Sequence, residues 1–508
     1  MSSPANPEDN QKNNGAVDIK VGDAGDMEQD VAVGTQTAMI DLSYLRSTKM
    51  TIFYRSVLFQ MVLFGALSLV GPAMNDAITN LGGGGLKTPY LANLANSLNY
   101  GMGCITTLFG GPLINKLGIR NSCIIAALIF PLTGSAYYTS ARFGNQSYLL
   151  SSRLIEGVTS GFLYVAETTA MLSYPPQDDR GFYLGIWSAM RNSGSVIGGA
   201  INFSTNSKDD SAGGIAWFTY LLFVGFECTG IIWAVLLSTT SKVRRRDGTR
   251  VPTRSEHTTW KQEFAALIKV IGQKHIWFVA IPGFYSFFYG GTMGTYLSLH
   301  FSVRARALSS LIVPSIVIPL VIAYGRLLDR TKWTRGRRAW TAFFCWVVPQ
   351  IGCFIWIGYE YSKFGTSKHN GLDYQKETHR WAEAYFPYLI IFVTGYWTQL
   401  SLYWMLGCLS PNVETSSRVG GLFRAFETAG QAVSYGINSA SKADPRRPFY
   451  ANCGVLALTI PCMIMLIKLV GESKVHDETC MEPVKVIEEL PEADSKRVEQ
   501  RCISERGE

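Results

Sequence analysis

The chain has 508 residues, of which 47% are hydrophobic, 12% aromatic and only 17% charged, with a formal net charge of +8. It is too apolar for an ordinary soluble enzyme, and its charges collect between long uncharged runs. The basic excess sits in loops beside those runs rather than on one soluble domain, so it marks membrane orientation and not a nucleic-acid partner.

Met1 to about Thr48 is polar, rich in Asn, Asp, Gly and Gln, and lacks the short apolar segment of a secretory signal. It reads as a disordered tail, 1–50, on the cytosolic side. A helix needs about 20 mostly apolar residues to cross the hydrocarbon core, and such runs recur twelve times, at 52–78, 90–114, 122–142, 148–172, 181–203, 216–238, 275–299, 306–328, 338–359, 384–408, 417–439 and 448–470. The expected fold is therefore an all-α membrane protein in two six-helix bundles, 51–238 and 275–470. A basic cytosolic linker, 239–274, joins them, and a charged cytosolic tail follows at 471–508.

With both tails inside, the cytosolic loops carry Lys116 and Arg120, Arg180, the run Arg244 to Arg246, and Arg330, Lys332, Arg335, Arg337 and Arg338. This is the distribution the positive-inside rule requires. The external loop at about 360–383 holds Lys363, Lys368, Lys376 and Arg380, but Glu360, Asp373 and Glu377 offset them. In the linker, Trp260 to Ile271 is amphipathic; it reads as a connector, with a lipid-headgroup or regulatory site as the sharper alternative.

The halves are repeats. Without gaps, the run from Gly185 to Asn202 in span five matches Gly421 to Asn438 in span eleven at Gly185/Gly421, Ala189/Ala425, Gly194/Gly430, Ile201/Ile437 and Asn202/Asn438. Small residues permit close helix contact, so part of the match is shared packing chemistry, but its equivalent place in each half argues for duplication.

Ionisable residues inside a span cost about 2.5–3.5 kcal/mol each on insertion scales and face a cavity or a partner. On span four Arg153, Glu156, Ser160, Tyr164 and Glu167 fall within an arc of about 80°. Span five carries Arg191, Ser195, Gly198 and Asn202 on one face, and span eleven Glu427, Gln431, Ser434 and Asn438 at the same steps. The repeat makes Arg191 and Glu427 equivalent. Two readings stand: they line a common cavity as ligand or proton sites, or each is held in a static ion pair by a nearer partner. Span two offers Asn93, Asn96 and Tyr100, and span seven Tyr285, Tyr289, Thr292 and Tyr296, as ligand contacts or as packing. Glu227, alone on span six, has no assigned role.

Several patterns lead nowhere. The run from Gly82 to Thr88 resembles a phosphate loop, but Leu86 precedes Lys87 and no strand comes before it. Asn145-Gln-Ser147 is a glycosylation sequon in a short external loop close to the membrane, where modification is not expected. The ten cysteines are scattered singly, without a CxxC pair or a His-Cys cluster, so no disulfide framework, metal or other cofactor is assigned.

Between spans two and three, Gly111, Asn115, Lys116, Gly118 and Arg120 resemble the loop motif of the major facilitator superfamily, with Asn115 in place of the usual aspartate. The second-half copy, with Gly325, Asp329 and Arg330, keeps the acid, and the resemblance thus implies a weaker inter-helix latch in the first half. Arg153 with Gly157, and Gly194 to Gly199 with Ser195 where proline is usual, resemble its span-four and span-five motifs. Leu81 to Gly85, Met171 to Pro175, Arg180-Gly181 and Gly185 to Trp187 resemble the Unc-93-like branch, particularly its fungal members. The resemblance covers about 52–470 and implies a secondary transporter of a small solute by alternating access, embedded in the lipid bilayer. Uphill transport would use an ion gradient, with Glu156, Glu167 and Glu427 as proton-coupling candidates and Arg191 as their charge partner or an anion contact. The alternative is a non-transporting regulatory or trafficking subunit bound to another membrane protein. No nucleophile–base or metal-ligand arrangement points to an enzyme.

Overall fold

The computed structural model describes residues 39–472, apart from 82–83, 85, 87–88, 177–178, 207–215, 252–258, 365–370, 410–412, 442–443 and 445, together with 485–486. Most of both tails and most of the glycine run at 82–88 thus lie outside the described residues.

Among the described residues twelve long helical runs build the two halves. The first six are Val57–Val70 continued by Pro72–Thr79, Pro89–Leu108 continued by Gly110–Leu117, Ile119–Ala127 continued by Pro131–Phe143, Gln146–Ser173, Arg180–Asn206, and Phe218–Glu227 continued by Gly230–Leu236. The second six are Lys274–Tyr285 continued by Tyr289–His300, Val303–Leu328, Arg335–Phe364, Thr378–Leu409, Val413–Ala440 and Arg446–Glu472. The expected boundaries fall close to these; the largest departure is span ten, which begins at Thr378 because its polar first turns are helical too.

Spans three, six, eight, nine, ten and twelve are long and apolar enough to cross a bilayer unaided. Spans two, four, five and eleven are not among them, and the reason is where their polar residues point. Asn96, Arg153, Glu156, Asn202 and Glu427 are all buried inside the protein. Large apolar side chains such as Leu128, Ile155, Ile232, Ile355 and Leu458 are exposed instead, as lipid requires.

The two halves meet along two seams, span five against span eight and span eleven against span two. Glycines set the approach. A Cβ on Gly181 would lie 2.4 Å from the Gly325 carbonyl oxygen, and one on Gly325 would lie 2.3 Å from that of Gly181. Gly185 packs on Val321 and Ile322 of span eight, as its repeat partner Gly421 packs on Thr107 and Gly111 of span two. The same equivalence relates spans one and seven. Gly194 presses on the Leu69 carbonyl and Gly430 on that of Phe284. The match between the two sequence runs is therefore also a match between contacts, related by a pseudo-twofold axis.

Span one bends by 42° at Gly71-Pro72. Pro72 has no N–H to give to the preceding turn, and Gly71 leaves room for the Phe130 ring. The linker helix, Trp260–Ile271, begins with a capping box between Thr259 and Gln262 and turns by 79° into span seven. Its Glu263, Leu267 and Val270 are buried, while Trp260, Phe264 and Ile268 are exposed one turn apart.

Candidate functional site

A cavity lies between the halves, with about 670 Å³ of space free of protein atoms when the open solvent at its mouth is included. From the first half it takes Asp76, which follows the bend in span one, and Arg191 of span five. Arg191 Nε and Nη2 both donate to Asp76 Oδ2, at 3.1 and 2.7 Å. From the second half it takes Arg424 and Glu427, one turn apart on span eleven and paired at 2.7 Å. Gln399 of span ten donates to the other Glu427 oxygen at 2.8 Å. Each half thus brings one internally neutralised ion pair to the same space.

Tyrosine and phenylalanine rings line most of the remaining wall. Tyr100 of span two stacks on Tyr435 of span eleven, with centroids 5.6 Å apart and planes at 16°. The Arg424 guanidinium lies 4.2 Å from the centroid of the Tyr164 ring on span four, a cation–π contact that crosses between halves. Tyr289 packs edge-on against Phe392. Its ring fits because residue 395 is glycine, where a Cβ would meet the Tyr289 hydroxyl at 2.2 Å. Among the described residues that hydroxyl has no hydrogen-bond partner. The wall therefore presents ring faces and hydroxyls around two charge pairs, a surface suited to a ligand with both polar and apolar parts.

Arg191, Glu427, Gln431 and Tyr289 line this cavity together. Arg191 and Glu427 do not pair with each other; each has the nearer partner that the static reading called for, while both remain at the cavity wall. Asp76 and Arg424 were missed. Arg424 stands three residues before Glu427, a spacing visible in the sequence, and Asp76 is a lone acid near the end of span one.

The other candidates lie elsewhere. Arg153 Nη1 pairs with Glu156 at 2.5 Å and donates to Asn75, and Nη2 donates to Asn96 at 2.7 Å. Asn96 thus holds an arginine instead of facing the central space. Asn93 donates to Thr295 at 3.0 Å, joining the halves at the end away from the basic loops. Glu167 is buried against the Ser68 hydroxyl and lines neither this cavity nor the smaller one beside Glu156. Asn145 caps span four by accepting the Tyr148 N–H at 3.0 Å.

At the basic end the two loop motifs act as latches. Asp329 Oδ1 and Oδ2 accept the N–H groups of Gly181 and Phe182 at 2.7 and 2.5 Å, a carboxylate seated on the N-terminus of span five. Burial pushes this carboxyl up to about 6, against the downward pull of the two N–H groups. The first-half latch is built differently from the expectation of a weakened one. Asn115 accepts from Ser417 at 2.7 Å and donates at 3.0 Å to Glu263, which also pairs with Arg418 at 2.9 Å. The linker helix has supplied the carboxylate that position 115 lacks. Gly111 admits the Arg418 backbone, where a Cβ would come within 2.7 Å of its Cα. Arg120 and Arg330 stand outside the latches: Arg120 donates to the Val235 carbonyl, and Arg330 lies over the Trp333 ring.

A family model described as Major Facilitator Superfamily matches residues 56–435. The chain belongs to that superfamily. It is 29% identical over 437 residues to "Notoamide biosynthesis cluster protein O'" of Aspergillus versicolor, covering 84% of this chain and 94% of that one. It is 26% identical over 419 residues to UNC93-like protein 1 of Arabidopsis thaliana, covering 82% and 90%. The chain is thus an Unc-93-like member of the superfamily. Among solved structures, the FucP transporter in its outward conformation superposes with a TM-score of 0.54 at 12% identity, over 82% of this chain and 99% of that one. The human organic anion transporter MFSD10 gives 0.57 at 13% identity, over 80% and 98%. At such identities the superpositions establish the fold, that of a multi-pass membrane transporter superfamily, and nothing of the substrate.

Proposed function

We propose that the protein is a secondary transporter that moves a small solute by rocking the bundles 51–238 and 275–470 about the central cavity, with the linker 239–274, the basic loops and both termini in the cytosol. The observation that carries this reading is the cavity wall: two ion pairs, one from each half, open onto the same space between repeated bundles. A bound solute bearing charge exchanges contacts with Asp76–Arg191 on one side and Arg424–Glu427 on the other, and so has a different affinity for each arrangement of the halves. That difference is what a solute needs in order to bias alternating access. The bundles touch at both ends of the cavity, through the latches at the basic end and through Asn93–Thr295 at the other. Each set of contacts must break in turn. Asn115 does not favour a regulatory subunit, because Glu263 restores its acid.

The test begins with metabolites compared inside and outside cells with and without the gene, followed by flux of the differing solute in proteoliposomes under an imposed pH gradient. Arg191→Gln and Glu427→Gln are expected to reduce flux at least tenfold. Unchanged flux in both variants, or no differing solute together with stable co-purification of a second membrane protein, would overturn the transport reading in favour of the regulatory one.

A further inference from the structure

A second, smaller cavity lies wholly within the first half, enclosed by spans one, three, four and six. It has room for about one water molecule. Its wall includes the bend at Gly71-Pro72, Asn75, Thr133, Glu156, Ser160 and Glu227, and it shares Tyr164 with the central cavity.

Glu227 closes the first helical piece of span six and is 1% exposed. Its Oε2 accepts one bond, from the Gly134 N–H at 3.2 Å, and glycine at 134 allows this approach, since a Cβ there would lie 2.7 Å from Val224 Cγ2 and 2.8 Å from that oxygen. Among the described residues no cation pairs with Glu227 and nothing bonds its Oε1, which opens on the small cavity. Glu156 presents the same arrangement from span four: Oε2 is taken by Arg153, and among the described residues nothing bonds Oε1. Ser160 and Thr133 line the space too, and among the described residues no side chain or backbone group bonds their hydroxyls. The other charged or titratable groups facing Glu227 are Arg153, Tyr137 of span three, whose hydroxyl is unpartnered, and Tyr164. Asp76 of span one, next in sequence to Asn75, is neutralised by Arg191. Two carboxylates and one guanidinium leave the cluster one positive charge short, in a region where an uncompensated charge is not tolerated.

We propose that this cavity is a cation-binding site for a single proton, carried on Glu227 Oε1. The space has room for about one water, through which the carboxylic O–H donates to Glu156 or Ser160. A metal cation fits the site poorly, because Arg153 already occupies half of Glu156 and repels a second fixed positive charge. A proton needs only one free carboxylate oxygen. It arrives from water in the central cavity past the Tyr164 hydroxyl, no other bond is made or broken, and its release restores the anion. Its use as the coupling ion rests on the transport reading; its presence does not.

Infrared difference spectroscopy of the purified full-length chain in liposomes, titrated from acid to alkaline, tests this without a substrate. A protonated-carboxyl C=O band is expected that disappears at high pH and is absent in Glu227→Gln. In Glu156→Gln the band disappears at lower pH, because a neighbouring negative charge is gone. Choline, sodium and potassium salts at constant pH are expected to leave it in place. If Glu227→Gln does not fold, Glu227→Asp must shift the band's frequency. A spectrum unchanged by the Glu227 substitutions, or a band removed by sodium or potassium at fixed pH, would overturn the proposal.

Discussion

Asn115 and Glu263 show how one residue's chemistry can be carried by another 148 positions away. The carboxylate is fully buried, and the Arg418 guanidinium is buried beside it. Removing it takes a buried carboxylate from beside the Arg418 guanidinium, so Glu263→Gln is expected to cost on the order of 3 kcal/mol, read as a lower thermal midpoint in mild detergent. Asn115→Asp alone should also destabilise, because two carboxylates then share one site. The double variant, Asn115→Asp with Glu263→Gln, should recover most of the loss. No recovery would mean that the two positions are not interchangeable. Nothing local in the sequence announces this exchange. Spacing shows which residues share a helix face, as it did for Arg191 with Asn202 and for Glu427 with Asn438, but not which helix that face meets. For the same reason Arg191 could be placed at a cavity while its partner Asp76 could not.

Two elements, the starts of spans five and eleven, seat the latches, and the one at span five responds to acid. The Asp329 carboxyl sits at about 6 when latched against an ordinary value of 3.8, so the latched state binds more protons between those values. Its stability is therefore greatest below about 3.8 and is lost as pH rises through about 6. Thiol cross-linking across the basic end should increase as pH falls below 6, by about tenfold in the underlying equilibrium per pH unit, and Asp329→Asn should abolish the trend. The glycine contact beneath this latch is the weaker point for sterics. Gly325→Ala sets a Cβ against the Gly181 carbonyl, which is backbone and cannot turn aside, and should cost about 1–3 kcal/mol while parting spans five and eight. A midpoint unchanged from the parent would mean that the seam is looser than it looks. The spans themselves were legible because hydropathy and length are local properties. Their breaks were not, since only packing shows that the bend at Gly71-Pro72 brings Asp76 to the cavity.

For the molecule as a whole, the two repeated runs form two equivalent seams, yet the charges break the symmetry: Arg191 reaches across to span one, whereas Glu427 is satisfied within its own helix and by Gln399. If the halves must separate at the end away from the basic loops, joining Asn93→Cys to Thr295→Cys with a short bifunctional thiol reagent should stop solute flux, and reduction of a cleavable reagent should restore it. Flux that persists through complete cross-linking would exclude opening at that end. The substitution of a linker acid for a loop acid carries a further consequence, one for descent. A latch that needs a charge at a place, and not a residue at a position, ties the two sites together in inheritance. Relatives with an acid where this chain has Asn115 should be released from keeping one at the place of Glu263, and those that lose both should have lost the closed basic end with them.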